Sequence, residues 1–271
     1  MVLRPINGCR LQASGSRQNH FVPAWPPVER AQRHLADKYW LVTQPDHASL
    51  AGALAANFTS PDFPKIDEQI ARAIEVHDAG WAIFESEAQM NVAPPLDARG
   101  KPLSFIEIVP QDFLRAWTAS IDRAEQVGAA GGFIVSRHFC ALGQGRLASA
   151  MDGAEDSSRL LGFLKAEDER QSRLQARVQQ SCEELEHLVR ALQFCDLLSL
   201  FLCCGAADAV EFPQEFAAGK VRVRCEADAY ILDPSPFQTG TQRPVSLGVE
   251  ARGFPCAGKT AKVATLPFLL W

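Results

Sequence analysis

Five side chains with acid, base or metal-ligand chemistry fall on helical faces that otherwise read as apolar: His47, His77, Asp78, His138 and Asp196. Ile70, Ile74, His77 and Trp81 follow the i, i+4, i+7, i+11 spacing of one buried helix face, which turns the His77 ring inward. Asp78 follows about 100° further round, so the two side chains can approach one interior point from two directions. His47 shares a face with Leu50, Ala51, Leu54 and Phe58, and His138 sits among Phe133, Ile134, Val135, Phe139 and Leu142. Asp196 interrupts the run Leu192-Gln193-Phe194-Cys195-Asp196-Leu197-Leu198-Ser199-Leu200. An unpaired carboxylate there costs on the order of several kcal/mol or gives up its charge. Singly, each group reads as a core histidine bonded to an acid, or as an aspartate bonded to an amide or an arginine. Coming from four separate helices and all facing inward, they are most simply explained by a shared divalent metal, for which imidazole and carboxylate are standard ligands.

The elements that would carry them follow from periodicity. Tyr39 to Thr43 reads as a short strand, and Pro45 and Asp46 open a helix running to Phe58. The His77 helix follows a Pro-containing loop, with Gly80 offering a place for it to loosen or stop. Residues 85 to 112 read as a Pro- and Gly-rich loop, long enough to suggest a pocket wall. Helices are predicted around Phe113 to Gln126 and Phe133 to Leu142. The longest helical pattern spans about Arg159 to Cys204, with a break near Asp168 to Ser172. Beyond Gly205 the period changes to two, at Val221, Val223 and Cys225. Tyr230 to Leu232, Pro244 to Val249 and Lys262 to Leu266 are further strand candidates. The expected organisation is N-terminal strands with a Pro-rich insertion (1–43), a helical metal-binding domain (44–205) and a small C-terminal β-sheet segment (206–271).

Composition narrows the partners. A chain of 271 residues that is 47% hydrophobic and 22% charged can bury a large core. Its net charge of -5 argues against a nucleic-acid polymer as partner, because phosphate backbones select a basic face. The eight cysteines form no CxxC pair and several lie in apolar runs, as reduced core residues of a cytoplasmic protein do. Leu197 to Ala207 is too short to span a bilayer, so no membrane association is expected.

Several segments together resemble the HD-domain superfamily of metal-dependent phosphohydrolases, whose ligands come in the order H…HD…D. They are Gln44-Pro45-Asp46-His47-Ala48, His77-Asp78-Ala79-Gly80-Trp81, Ser136-Arg137-His138-Phe139, the run around Asp196, and Leu232-Asp233-Pro234-Ser235-Pro236-Phe237. More closely they resemble a bacterial family of uncharacterised function within that group, from about residue 39 to the C-terminus. The resemblance implies a mainly α fold, an HD-like helical bundle with a small antiparallel β-sheet formed by the C-terminal segment and the N-terminal strands. It implies His47, His77, Asp78 and Asp196 as metal ligands, with Mn, Fe, Co, Ni or Zn as the ion. His138 matches none of those four; it is a fifth ligand, a ligand to a second metal or a substrate-binding group. His187, half a turn from Asp196, faces outward, and His20 and His34 lie in or beside the Pro-rich arm.

The implied activity is hydrolysis of a small phosphate ester or nucleotide by a metal-activated water. Asp78 belongs to its catalytic set. Arg137 and Arg170 are candidates for phosphate charge, and Glu85 and Glu167 for proton transfer or for supporting a ligand. Trp81 and Phe105 are candidate pocket walls. Two other readings stand beside it: an HD-type di-iron oxygenase, which needs more ligands than these five, and a non-catalytic HD-like binding module.

Overall fold

The computed structural model describes residues 2–5, 39–85, 96, 98, 102, 109–149, 153–206, 208–227, 229–237, 244–254 and 263–271. Phe105, His20, His34 and the Pro-rich arm lie outside them. Strand β1 (Val2–Pro5) pairs antiparallel with β2 (Tyr39–Val42), which leads directly into helix α1 (Gln44–Ala56). Thr43 caps α1, its hydroxyl accepting the Asp46 amide at 3.1 Å, and Pro45 occupies the first turn, where its missing N–H has no cost. Helix α2 (Glu68–Glu75) is capped by Asp67, and a hydrogen-bonded turn and a 3-10 helix (Ala79–Ile83) follow. Then come α3 (Pro110–Val127), α4 (Ala129–Ala148), α5 (Ala154–Gln175) and α6 (Cys182–Cys203).

Five further strands complete the chain: β3 (Val210–Phe216), β4 (Gly219–Glu226), β5 (Ala229–Asp233), β6 (Val245–Phe254) and β7 (Val263–Leu270). They join β1 and β2 in one seven-stranded sheet of order β1-β2-β6-β7-β5-β4-β3. Its ladders are antiparallel except at β5 and β7, which run parallel through Tyr230 and Leu270.

The expectation of a mainly α, all-helical bundle with a small antiparallel sheet is therefore corrected. The sheet is mixed and contains both ends of the described chain. One hydrophobic core runs through helices and sheet alike, including Leu54, Ile134 and Leu192 together with Val221, Leu232, Val249 and Phe268. Breakers inside the strands mask their length in the sequence. Pro267 of β7, which pairs with Gly248 of β6, makes that run look as if it ends at Leu266, and exposed Pro213 sits within edge strand β3.

Two helix boundaries also differ. The long pattern breaks at residues 176–181, not at Asp168 to Ser172. Ser181 and Glu184 form a reciprocal capping box that starts α6, whereas 168–172 lies inside α5. Helix α2 stops at Glu75, so His77 and Asp78 sit on a turn. Among the described residues no helix is long and apolar enough to cross a membrane.

Candidate metal centre

Four elements deliver the cluster: α1 carries His47, the turn after α2 carries His77 and Asp78, α6 carries Asp196, and α4 brings His138 beside them. His47 and His77 are fully buried, and Asp78, His138 and Asp196 nearly so. Nε2 of His47 lies 3.2 Å from Asp78 Oδ2 and 3.6 Å from Asp196 Oδ1. Nε2 of His77 lies 3.7 Å and 3.3 Å from the same two oxygens. One ligand atom from each of these four residues falls within 4.8 Å of all the others.

The His77 ring is fixed from behind. Its Nδ1 donates to the Ile74 carbonyl at 2.7 Å, in the last turn of α2, which aims Nε2 at the carboxylates. That carbonyl is available because the helix ends there. The sequence pattern, which continues the helix through His77, does not reveal this partner. The inward orientation of Ile70, Ile74, His77 and Trp81 holds nonetheless.

Electrostatics separates the three imidazoles. Burial lowers the pKa of His47 to about 3 and of His138 to about 4, with Asp196 offsetting only part of the loss, so both rings are neutral. Burial opposes charge on His77 as well, but the Asp78 carboxylate and the hydrogen bond to Asp196 outweigh it and raise its pKa to about 9. Burial pushes Asp78 up to about 7 against the pull of His77, with Asp196 adding to the rise. For Asp196 burial is overcome by the His77 hydrogen bond and by the three surrounding rings, which hold it below the usual carboxylate range.

A cation fits this donor set. Among the described residues, neither buried ring nitrogen of His47 has a hydrogen-bond partner, a costly condition that a ligand on Nε2 relieves for that atom. The donors, two imidazoles and two carboxylates, suit a borderline first-row ion.

The remaining candidates divide. Glu85 is close: its Oε2 accepts the Gln44 amide at 2.6 Å at the start of α1, and its charge contributes to the rise at Asp78. Arg137, Arg170 and Glu167 are held by partners outside the cluster. Arg137 follows the helix about 100° away from His138 and pairs with Glu186 of α6 at 2.9 Å. Arg170 pairs with Asp122, Glu125 and Glu167. Glu167 is buried and accepts the Ser136 hydroxyl at 2.9 Å, while Gln171 donates to Ser136 and Cys140. These groups lock α3, α4, α5 and α6 together. Trp81 is buried in the core with its ring edge to Phe84. His187 is half-buried on α6.

The fold and site define a helical layer on a mixed sheet, with a closed two-histidine, two-aspartate cluster beneath the first helix. A family model described as protein of unknown function (DUF3891) matches residues 32–253, and the chain belongs to that family. No curated protein and no solved structure matches it.

Proposed function

We propose that this protein is a metal-dependent phosphohydrolase of HD type, acting on a small phosphate ester or nucleotide. One observation carries the reading: four buried ligand atoms from His47, His77, Asp78 and Asp196 lie within 4.8 Å of one another. When bound, a divalent ion supplies a positive centre for a phosphoryl oxygen and lowers the pKa of water toward neutrality.

The chain's own groups divide the remaining work. His47 and His77 bind through Nε2, and the Ile74 carbonyl holds the His77 tautomer that leaves this nitrogen free once its extra proton is lost. Asp196 contributes Oδ1, and Asp78 contributes Oδ2, which faces both rings. Glu85, beside Asp78 but only partly buried, is placed to exchange a proton with solvent. The negative net charge favours a small phosphorylated substrate over a polymer. The free thiols Cys140, Cys182, Cys195, Cys203, Cys204 and Cys225 suit a reducing compartment such as the cytoplasm.

The test is elemental analysis of the purified protein, followed by a panel of phosphomonoesters, phosphodiesters and nucleotides with Mn, Fe, Co, Ni or Zn. Metal retention with hydrolysis of at least one member is expected, and both should be lost in Asp78→Asn with its circular dichroism unchanged. Protein that takes up none of these ions would refute the reading.

A further inference from the structure

Asp196 presents its two carboxylate oxygens to different partners. Oδ1 faces the rings of His47 and His77, whereas Oδ2 faces Nε2 of His138 at 3.8 Å. His138 comes from α4, which supplies none of the four ligand atoms, and its ring stands edge-on to His77 at 90° with centroids 5.6 Å apart. Its Nδ1 is buried and, among the described residues, has no hydrogen-bond partner. A proton on Nδ1 would be a buried donor without an acceptor, so the proton of the neutral ring belongs on Nε2, where a carboxylate oxygen lies opposite. A protonated Nε2 has no lone pair to give to a metal.

We infer that His138 is a positioning residue. Its Nε2–H faces Oδ2 of Asp196 at 3.8 Å and through that ion–dipole contact biases Oδ1 toward His47 and His77; His138 is not itself a ligand, either to the same ion or to a second one. The inference rests on the metal reading of this site. A carboxylate benefits from such a bias because its terminal torsion is broad, and a donor facing Oδ2 from behind disfavours the rotation that would misplace Oδ1. At 3.8 Å the contact is an ion–dipole approach longer than a full hydrogen bond, so its signature is metal affinity and ligand count.

The experiment titrates Co(II) into the full-length protein and into His138→Ala and His138→Gln, reading stoichiometry, affinity and the visible absorption bands of the bound ion. The Gln amide places an N–H donor near the position of Nε2. One equivalent per chain is expected in all three proteins, with the same band positions and intensities. Affinity should fall roughly 10- to 100-fold in His138→Ala and recover most of that in His138→Gln. Bands that shift as a nitrogen ligand is lost, a stoichiometry that drops by one ion, equal weakening in both variants, or undiminished affinity in His138→Ala would each overturn the inference. Because His138→Gln keeps the size and polarity of the ring, it decides the matter even if His138→Ala does not fold. Wild-type protein that binds no cobalt overturns this inference and the hydrolase reading together. A Co(II)-binding protein with the expected variant behaviour but no phosphoester activity leaves the role of His138 standing and refutes only the hydrolase.

Discussion

The Gly80 amide donates to the Ser120 hydroxyl at 2.9 Å, so the 3-10 helix that follows His77 and Asp78 lies directly against α3. A side-chain carbon at Gly80 would overlap the Ala116 carbonyl oxygen and crowd the Ser120 amide. The obstacle is helical backbone, which cannot yield as a flexible side chain can. Gly80 therefore sets how far the ligand-bearing turn enters the molecule. Gly80→Ala is expected to lower stability by about 1–3 kcal/mol, the usual cost of overpacking. It should also weaken metal binding more than a variant of equal stability cost placed away from the cluster. Chemical denaturation and metal titration on the two variants check this.

Removing metal from a holoprotein should expose the electrostatic burden of the cluster. An ion present at 100 times its Kd stabilises the folded state by about 2.7 kcal/mol. For a domain of this size that corresponds to a melting temperature roughly 5–10 °C higher than after chelation. In Asp196→Asn the same addition of metal should shift the melting temperature by less than a quarter as much, because Oδ1 serves both histidines and the amide that replaces the carboxylate carries no charge. Differential scanning fluorimetry with and without chelator reads both.

Much of this site was legible because polar residues in apolar helical runs are conspicuous. Asp196 within Leu192 to Leu200, and His47 among alanines and leucines, could only face inward, and they do. Periodicity also oriented His77 correctly although the helix had already ended, since a hydrogen-bonded turn and a 3-10 segment preserve nearly the same facing over a few residues. It had no means of assigning Arg137, Arg170 and Glu167. Which surface charge meets which depends on how α3, α4, α5 and α6 pack, and a glutamate buried by Ser136 and Arg170 reads in sequence like any exposed one. The extent of the sheet is hidden for a different reason: proline counts as a strand breaker, yet Pro213 is tolerated on an edge and Pro267 opposite Gly248.

The sheet and helices should unfold as one unit rather than as the separate segments that the change of periodicity at Gly205 suggests. Phe194 of α6 is fully buried and its ring meets Phe58, Phe212 and Phe216, so it joins the helical layer to strand β3. Phe194→Ala is expected to cost about 3–5 kcal/mol. Urea transitions followed by far-ultraviolet circular dichroism and by tryptophan fluorescence should move together, because Trp81 and Trp117 report from the helices and Trp40 from the sheet. Two separated transitions, only one of them displaced, would contradict a shared core.

Glu167 should give stability a pH dependence of its own, independent of any metal. Burial raises its pKa above the ordinary 4.5, despite the Ser136 hydroxyl and the Arg170 guanidinium, which pull it down. A carboxyl whose folded pKa exceeds its unfolded one binds more protons in the native state between the two values. Its contribution to stability therefore falls as pH rises through that window and is flat outside it. Glu167→Gln removes this titration while leaving an amide for the Ser136 and Gln171 network. The stability of wild type relative to Glu167→Gln should be most favourable below pH 4.5, then decline upward from there and level off once the folded carboxyl is ionised. Urea denaturation of both proteins from pH 4 to 8 measures the difference. A difference that grows with pH would mean that the Arg170 ion pair outweighs burial, reversing the sign of the shift.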